Sequence, residues 1–154
     1  MSRYFFDSSA LVKRYVPEIG TTWVRSITNP QSNNTILIAH ITQVEVVSAV
    51  MRRTRDASIS VRTARAIRLL MDRHSSRQYS VIGLVGSVVS LAENLLETHP
   101  LRAYDAVQLA SALEANTRLI SAGLSPLTFI SGDTRLLSAA TSEGLTIDDP
   151  NVHP

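Results

Sequence analysis

The chain has 154 residues, 44% of them hydrophobic, with 15 basic and 13 acidic residues and no cysteine. That length predicts one domain over residues 1–154 with a core that needs no disulfide or structural metal, and the hydrophobic share excludes disorder. The lack of Cys excludes thiolate zinc sites and cysteine nucleophiles; no apolar run approaches the roughly eighteen residues of a membrane span, and the opening has no signal-peptide core, so a cytoplasmic protein without a membrane partner is expected.

The opening Arg3-Tyr4-Phe5-Phe6 has the bulk of a buried strand, and Asp7-Ser8-Ser9 stops it and caps a helix that Pro17 ends. Thr21 or Thr22 caps a second helix that breaks at Asn29-Pro30, and Thr35-Ile36-Leu37-Ile38-Ala39 reads as a buried strand. Thr42-Gln43-Val44-Glu45 matches a capping box, in which Thr and Glu satisfy each other's backbone amides at a helix start. A Ser60-capped helix follows, with Val61, Ala64, Ile67, Leu70 and Met71 as its apolar stripe. Its arginines 62, 65 and 68, with Arg52, Arg53 and Arg55 before them, concentrate positive charge on this helical pair, and arginine suits bidentate contact with phosphate.

Tyr79-Ser80-Val81-Ile82 is a third predicted strand, leading to a helix from about Ser87 to Thr98 that His99-Pro100 stops. The run from Leu101 to Leu113 has a small-residue inner face and carries Asp105 in its first turn, where an acid suits the helix dipole. Thr128-Phe129-Ile130-Ser131 repeats the strand-then-acid pattern through Gly132 into Asp133 and a helix to Glu143; Gly144 ends that helix and Leu145-Thr146-Ile147 forms a last edge strand.

Asp7, Glu45, Asp105 and Asp133 thus each stand at a helix start, where capping alone accounts for any one of them. In a parallel sheet with crossover helices, strand carboxyl ends and the helix starts after them share one rim, so four such carboxylates converge. They repel one another unless a cation sits among them, and hard oxygen ligands without Cys suit Mg²⁺ or Mn²⁺. His40, His74, His99 and His153 lack metal-ligand spacing, and no phosphate-binding Gly-Lys-Ser/Thr loop follows a strand. The nucleophile is therefore expected to be water.

These residues resemble a PIN-domain ribonuclease, and within that family a VapC-type toxin of a type II toxin-antitoxin pair. The likeness rests on Phe6-Asp7-Ser8-Ser9-Ala10-Leu11-Val12-Lys13, on Glu45, on the segment Leu101-Arg102-Ala103-Tyr104-Asp105-Ala106-Val107-Gln108-Leu109-Ala110, and on Phe129-Ile130-Ser131-Gly132-Asp133 before Arg135-Leu136-Leu137. The resemblance implies an α/β fold, a three-layer α/β/α sandwich on a parallel sheet of about five strands. It implies that Asp7, Glu45, Asp105 and Asp133 hold one or two Mg²⁺ or Mn²⁺ ions and cut RNA, with Ser131 in support. It also implies a homodimer silenced by a small VapB-like antitoxin, landing near the third and fourth helices, with Arg52, Arg53 and Arg55 as contacts to RNA or antitoxin. Gly132, between Ser131 and Asp133, departs from the pattern and is expected to loosen that loop.

Two Mg²⁺-dependent alternatives fail on residues: a receiver domain needs a late lysine where Lys13 is the sole one, and a haloacid-dehalogenase-like phosphatase needs an acid where Ser9 stands. A PIN ribonuclease that processes RNA without being a toxin, or a PIN module that binds without cutting, remains the other reading.

Overall fold

The computed structural model describes residues 1–154. The chain runs β1 (Arg3–Phe6), α1 (Ser8–Tyr15), α2 (Thr21–Ile27), β2 (Thr35–Ala39), α3 (His40–Arg55), α4 (Val61–Arg77), β3 (Tyr79–Ile82), α5 (Gly86–Thr98), α6 (Ala103–Ser121), β4 (Thr128–Ile130), α7 (Thr134–Ser142) and β5 (Thr146–Asp148), with short 3₁₀ turns at Pro30–Ser32 and Pro150–Val152. All five strands are parallel, in the order β3-β2-β1-β4-β5. The result is the expected α/β/α sandwich.

β1 is central because its side chains are apolar on both faces. Phe5 stacks on Phe129, with ring centroids 5.7 Å apart, in the core beneath α5, α6 and α7. Phe6 points the other way, into the core beneath α1 to α4. This alternation is what a strand buried on both sides requires. From β1 the chain winds outward through β2 and β3, then returns to β1's other side with β4 and β5. The reversal of winding lies between β1 and β4, and open parallel sheets form their binding crevice outside the carboxyl ends of strands at such a point. Phe6 pairs with Ile130, so Asp7 and Ser131 meet there.

Two predicted elements differ in detail. α4 packs on α3 and β3, which buries Ala64 and Met71 but leaves Val61 and Leu70 of its predicted stripe exposed. The polar tail after β5 is docked: His153 stacks on Trp23 with centroids 4.1 Å apart, and Pro150 presses against Gly20. Gly20 has φ +86°, and a Cβ there would sit 2.3 Å from the Pro150 carbonyl oxygen. Gly144 has a similar φ of +83° but opens onto free space. Gly144→Ala is therefore expected to cost about 1–2 kcal/mol for the left-handed backbone alone. Gly20→Ala should cost more, because the tail must also lift off, and denaturant midpoints of the two variants check the order.

Candidate active site

Asp7 ends β1 and caps α1, and its side chain is only 3% exposed. Its Oδ1 accepts from the Ala10 backbone N–H at 2.9 Å and from the Ser9 hydroxyl at 2.8 Å, and its Oδ2 accepts from the Ser131 hydroxyl at 2.8 Å. Ser131 in turn accepts from the Asp133 N–H at 3.0 Å, and Ser9 accepts from the Gly132 N–H at 2.8 Å. The two hydroxyls thus tie the loop after β4 to the end of β1.

Gly132 tightens this loop instead of loosening it, contrary to the sequence expectation. A Cβ at that position would meet Asn151 Nδ2 at 3.1 Å and Ser9 Oγ at 3.5 Å, so a larger residue there would have to displace the Asn151 side chain by a few tenths of an ångström. Behind it Lys13, the sole lysine, is buried and donates to the Ile19 carbonyl at 3.0 Å and to Asn151 Oδ1 at 2.9 Å.

Glu45 comes from α3, but not through a capping box. β2 runs straight into α3, whose first residue is His40 and whose cap position, Ala39, has no side-chain acceptor. Thr42 therefore falls inside the first turn, where it is buried and paired with Gln108 of α6. Gln108 Nε2 donates to both Thr42 Oγ1, at 2.9 Å, and Glu45 Oε2. The tertiary contact with α6 replaces the local cap, and Gln108 sets the position of Glu45. Asp105 lies one turn earlier on α6, and Asp133 caps α7 through Oδ1, which accepts from the N–H groups of Arg135 and Leu136.

A cleft of about 770 Å³ opens beside these residues; Glu45 and Asp105 line it with Ser8, Ser9, Arg52, Arg102 and Tyr104, while Asp7 and Asp133 lie outside its lining. Of the three arginines singled out in the sequence, Arg52 lines it. Arg53 instead bonds Glu18 at 3.1 Å, and Arg55 is exposed at the end of α3 away from the lining. Arg102 and Tyr104 were missed as site residues, although both stand in the segment that carries Asp105. Tyr104 is 60% exposed, which the sequence does not show; the adjacent Tyr104-Asp105 pair was the only local signal.

The carboxylates act on one another in sequence round the rim. Burial pushes the Asp7 pKa up to about 6, against the bonds from Ala10, Ser131 and Ser9, and the Glu45 charge adds to the rise. Burial also raises Glu45, opposed by the Gln108 amide and reinforced by Asp105. Asp105 is raised by burial and then by Asp133, with Arg102 and Arg135 opposing. No three acidic or histidine side chains converge closely enough to enclose an ion unaided. The donors are all oxygen, however, and a hard divalent cation commonly takes one or two carboxylates and completes its shell with water and phosphate. The donor set fits such an ion.

The folded chain keeps the Asp7 proton up to a pH of about 6, whereas a free Asp gives it up near 3.8. The Asp7 contribution to the stability of the metal-free protein is accordingly greatest below pH 4, falls as pH climbs towards 6 and levels off above it, a loss on the order of 3 kcal/mol from this one group. Asp7→Asn removes that loss. Thermal melts in metal-free buffer should show the variant more stable than the wild type at pH 7 and no more stable at pH 3.5.

The PIN domain family model matches residues 4–125, which include Asp7, Glu45 and Asp105 and stop short of Ser131 and Asp133. No protein of curated function matches the sequence. Among solved structures, VapBC2 from Rickettsia felis, bound to a DNA fragment from its promoter, superposes with a TM-score of 0.64 at 14% identity, covering 96% of this chain and 98% of that one. PAE2754 from Pyrobaculum aerophilum gives 0.64 at 18% identity, over 99% of this chain and 86% of that one. FitAcB from Neisseria gonorrhoeae gives 0.57 at 15% identity, over 96% and 97%. At these identities the likeness is one of fold, and it extends through β4, α7 and β5, beyond the reach of the family model. With most of its length matched by that model and its acids gathered where the winding of the sheet reverses, the chain belongs to the PIN-domain family.

Proposed function

We propose that the protein is a metal-dependent endoribonuclease and the toxin of a toxin-antitoxin pair, arresting growth when free of its antitoxin. The observation that carries this reading is the set of carboxylates from four separate elements on one rim, with Asp7, Glu45 and Asp105 all raised in pKa. Such a rim favours added positive charge. In this reading Asp7, Glu45, Asp105 and Asp133 hold Mg²⁺ or Mn²⁺, which would lower the pKa of a bound water and offset charge on the attacked phosphate.

The chain's own groups have separable tasks. Ser9 and Ser131 fix both oxygens of Asp7, so the carboxylate has one orientation. Gln108 holds Oε2 of Glu45, and Glu45, which lines the cleft, accepts the proton of the attacking water. The water oxygen bonds to phosphorus and the bond to the 3′ oxygen breaks, the leaving oxygen taking a proton from solvent, to give a 5′-phosphate and a 3′-hydroxyl. Arg52 and Arg102 flank the cleft as phosphate contacts, and Tyr104 offers a face on which an unpaired base stacks. Arg53, engaged with Glu18, is left as a weaker candidate than Arg52.

The neighbours that carry toxin-antitoxin names support a small VapB-like antitoxin as partner. The groove between α3 and α4, lined by Gln43, Val44, Val47, Arg68 and Asp72, with Val44 exposed, is the proposed landing place. Exposed Val89 and Leu96 on α5 give a second copy an apolar face to cover in a homodimer.

Purified protein without antitoxin is expected to cut a mixed cellular RNA pool with Mg²⁺ or Mn²⁺ and not with chelator. Asp7→Asn, although the more stable protein, should lose at least 100-fold in rate, and Tyr104→Ala should raise KM several-fold with little change in kcat. A folded, metal-supplied wild type that cuts nothing in the pool would leave a non-cutting PIN module as the better reading.

A further inference from the structure

α1 has a site at each end. Asp7 begins it at the acidic cleft; Arg14 and Tyr15 finish it about 12 Å away, by the rise of an eight-residue helix, at a second cavity of about 390 Å³. Arg14, Tyr15, Arg25, Asn29 and His74 line this cavity, with Leu70 and Pro30 as its apolar part and no acid. Neither Arg14 nor Arg25 is paired with a carboxylate. Arg25 Nε donates to the Arg14 carbonyl at 3.1 Å, and its two terminal nitrogens have no partner in the chain.

A buried relay fixes what His74 presents. Arg14 donates from one terminal nitrogen to the Tyr79 hydroxyl and from the other to Gln78 Oε1 at 2.8 Å, Tyr79 lies 2.7 Å from the Tyr15 hydroxyl, and Tyr15 lies 2.9 Å from His74 Nδ1. Arginine only donates, so the Tyr79 hydrogen has Tyr15 as its one acceptor, and the Tyr15 hydrogen then goes to Nδ1. His74 is left with its proton on Nε2, which makes no hydrogen bond within the chain although the residue is only 9% exposed. Burial, then the Arg14 and Arg73 charges, hold its pKa down to about 4, so the ring is a neutral donor at pH 7. The two guanidiniums, the imidazole N–H and the Asn29 amide, all in the lining, each keep a donor hydrogen not used within the chain.

We propose that this cavity is a second ligand site that takes a phosphate monoester, the phosphate received by Arg14, Arg25 and His74 Nε2 and the esterified group lying against Leu70 and Pro30. It is separate from the acidic cleft and does not rest on the ribonuclease reading. Histidine side-chain NMR in metal-free buffer tests it, with the ring signals of His74 assigned by His74→Gln. The free protein should show His74 as the Nε2–H tautomer. Titration with adenosine 5′-monophosphate should shift those signals saturably, at least 10-fold more tightly than inorganic phosphate does, and Arg25→Gln, a change at an exposed residue outside the relay, should weaken both by 10-fold or more. An Nδ1–H tautomer, a His74 signal that neither ligand moves, or an Arg25→Gln protein that titrates like the wild type overturns the site. Equal affinity for the two ligands overturns the monoester.

Discussion

A carboxylate buried at the end of the central strand is the constraint on which the rest of the structure depends. A side chain as enclosed as Asp7 carries a cost of several kcal/mol if left unpaired, and the chain meets it with one backbone amide and two hydroxyls. Those hydroxyls come from two elements far apart in sequence, Ser9 on α1 and Ser131 after β4. Satisfying Asp7 therefore requires that β1 and β4 be neighbours and that the loop after β4 close down on α1. The close approach of Gly132, the brace from buried Lys13 through Asn151 and the docked tail follow from that closure.

The same arrangement is held against electrostatic preference. The bonds to Asp7 lower its pKa, yet burial outweighs them, and Glu45 and Asp105 are displaced in the same direction. A scaffold that keeps three acids where they ionise reluctantly is less stable at neutral pH than it need be, which is a common property of sites built for chemistry. Rigidity around them prevents relaxation: the Thr42–Gln108–Glu45 contact joins α3 to α6 from opposite faces of the sheet, and the hydroxyl pair joins α1 to the β4 loop. Asp7 and Glu45 are thus each held by an element other than their own.

α1 transmits this order to the far end of the sheet. Its first turn is set by Asp7, and its last turn places Arg14 and Tyr15 against Tyr79 at the start of β3 and His74 at the end of α4. The two ends are opposite in character, one acidic and the other lined by two arginines and no acid. Both owe their burial to the helix being covered by α2, α3 and α4.

Much of the fold was legible in the sequence, because the strands of a parallel sheet buried on both faces are short runs of apolar residues bounded by polar ones. Thr35–Ala39 and Tyr79–Ile82 are read to the residue for that reason. The acids that end strands or open helices were legible too, since a strand running into Asp, as at Phe6-Asp7 and after Ile130-Ser131, is a local pattern. The contacts that arm those acids were not. Nothing local marks Gln108 as the partner of Glu45, Ser9 as the tie to Gly132, or Tyr15 as the link between His74 and Tyr79, because each pairing joins residues 59 or more positions apart. The capping box at Thr42 fails for the same reason, a strong local signal set aside by a buried partner. Sequence by itself determined which residues are apolar, which turn and which carry charge, since these follow from side-chain chemistry and periodicity. Tertiary structure alone decided which charges are buried together, because burial depends on what the rest of the chain brings alongside.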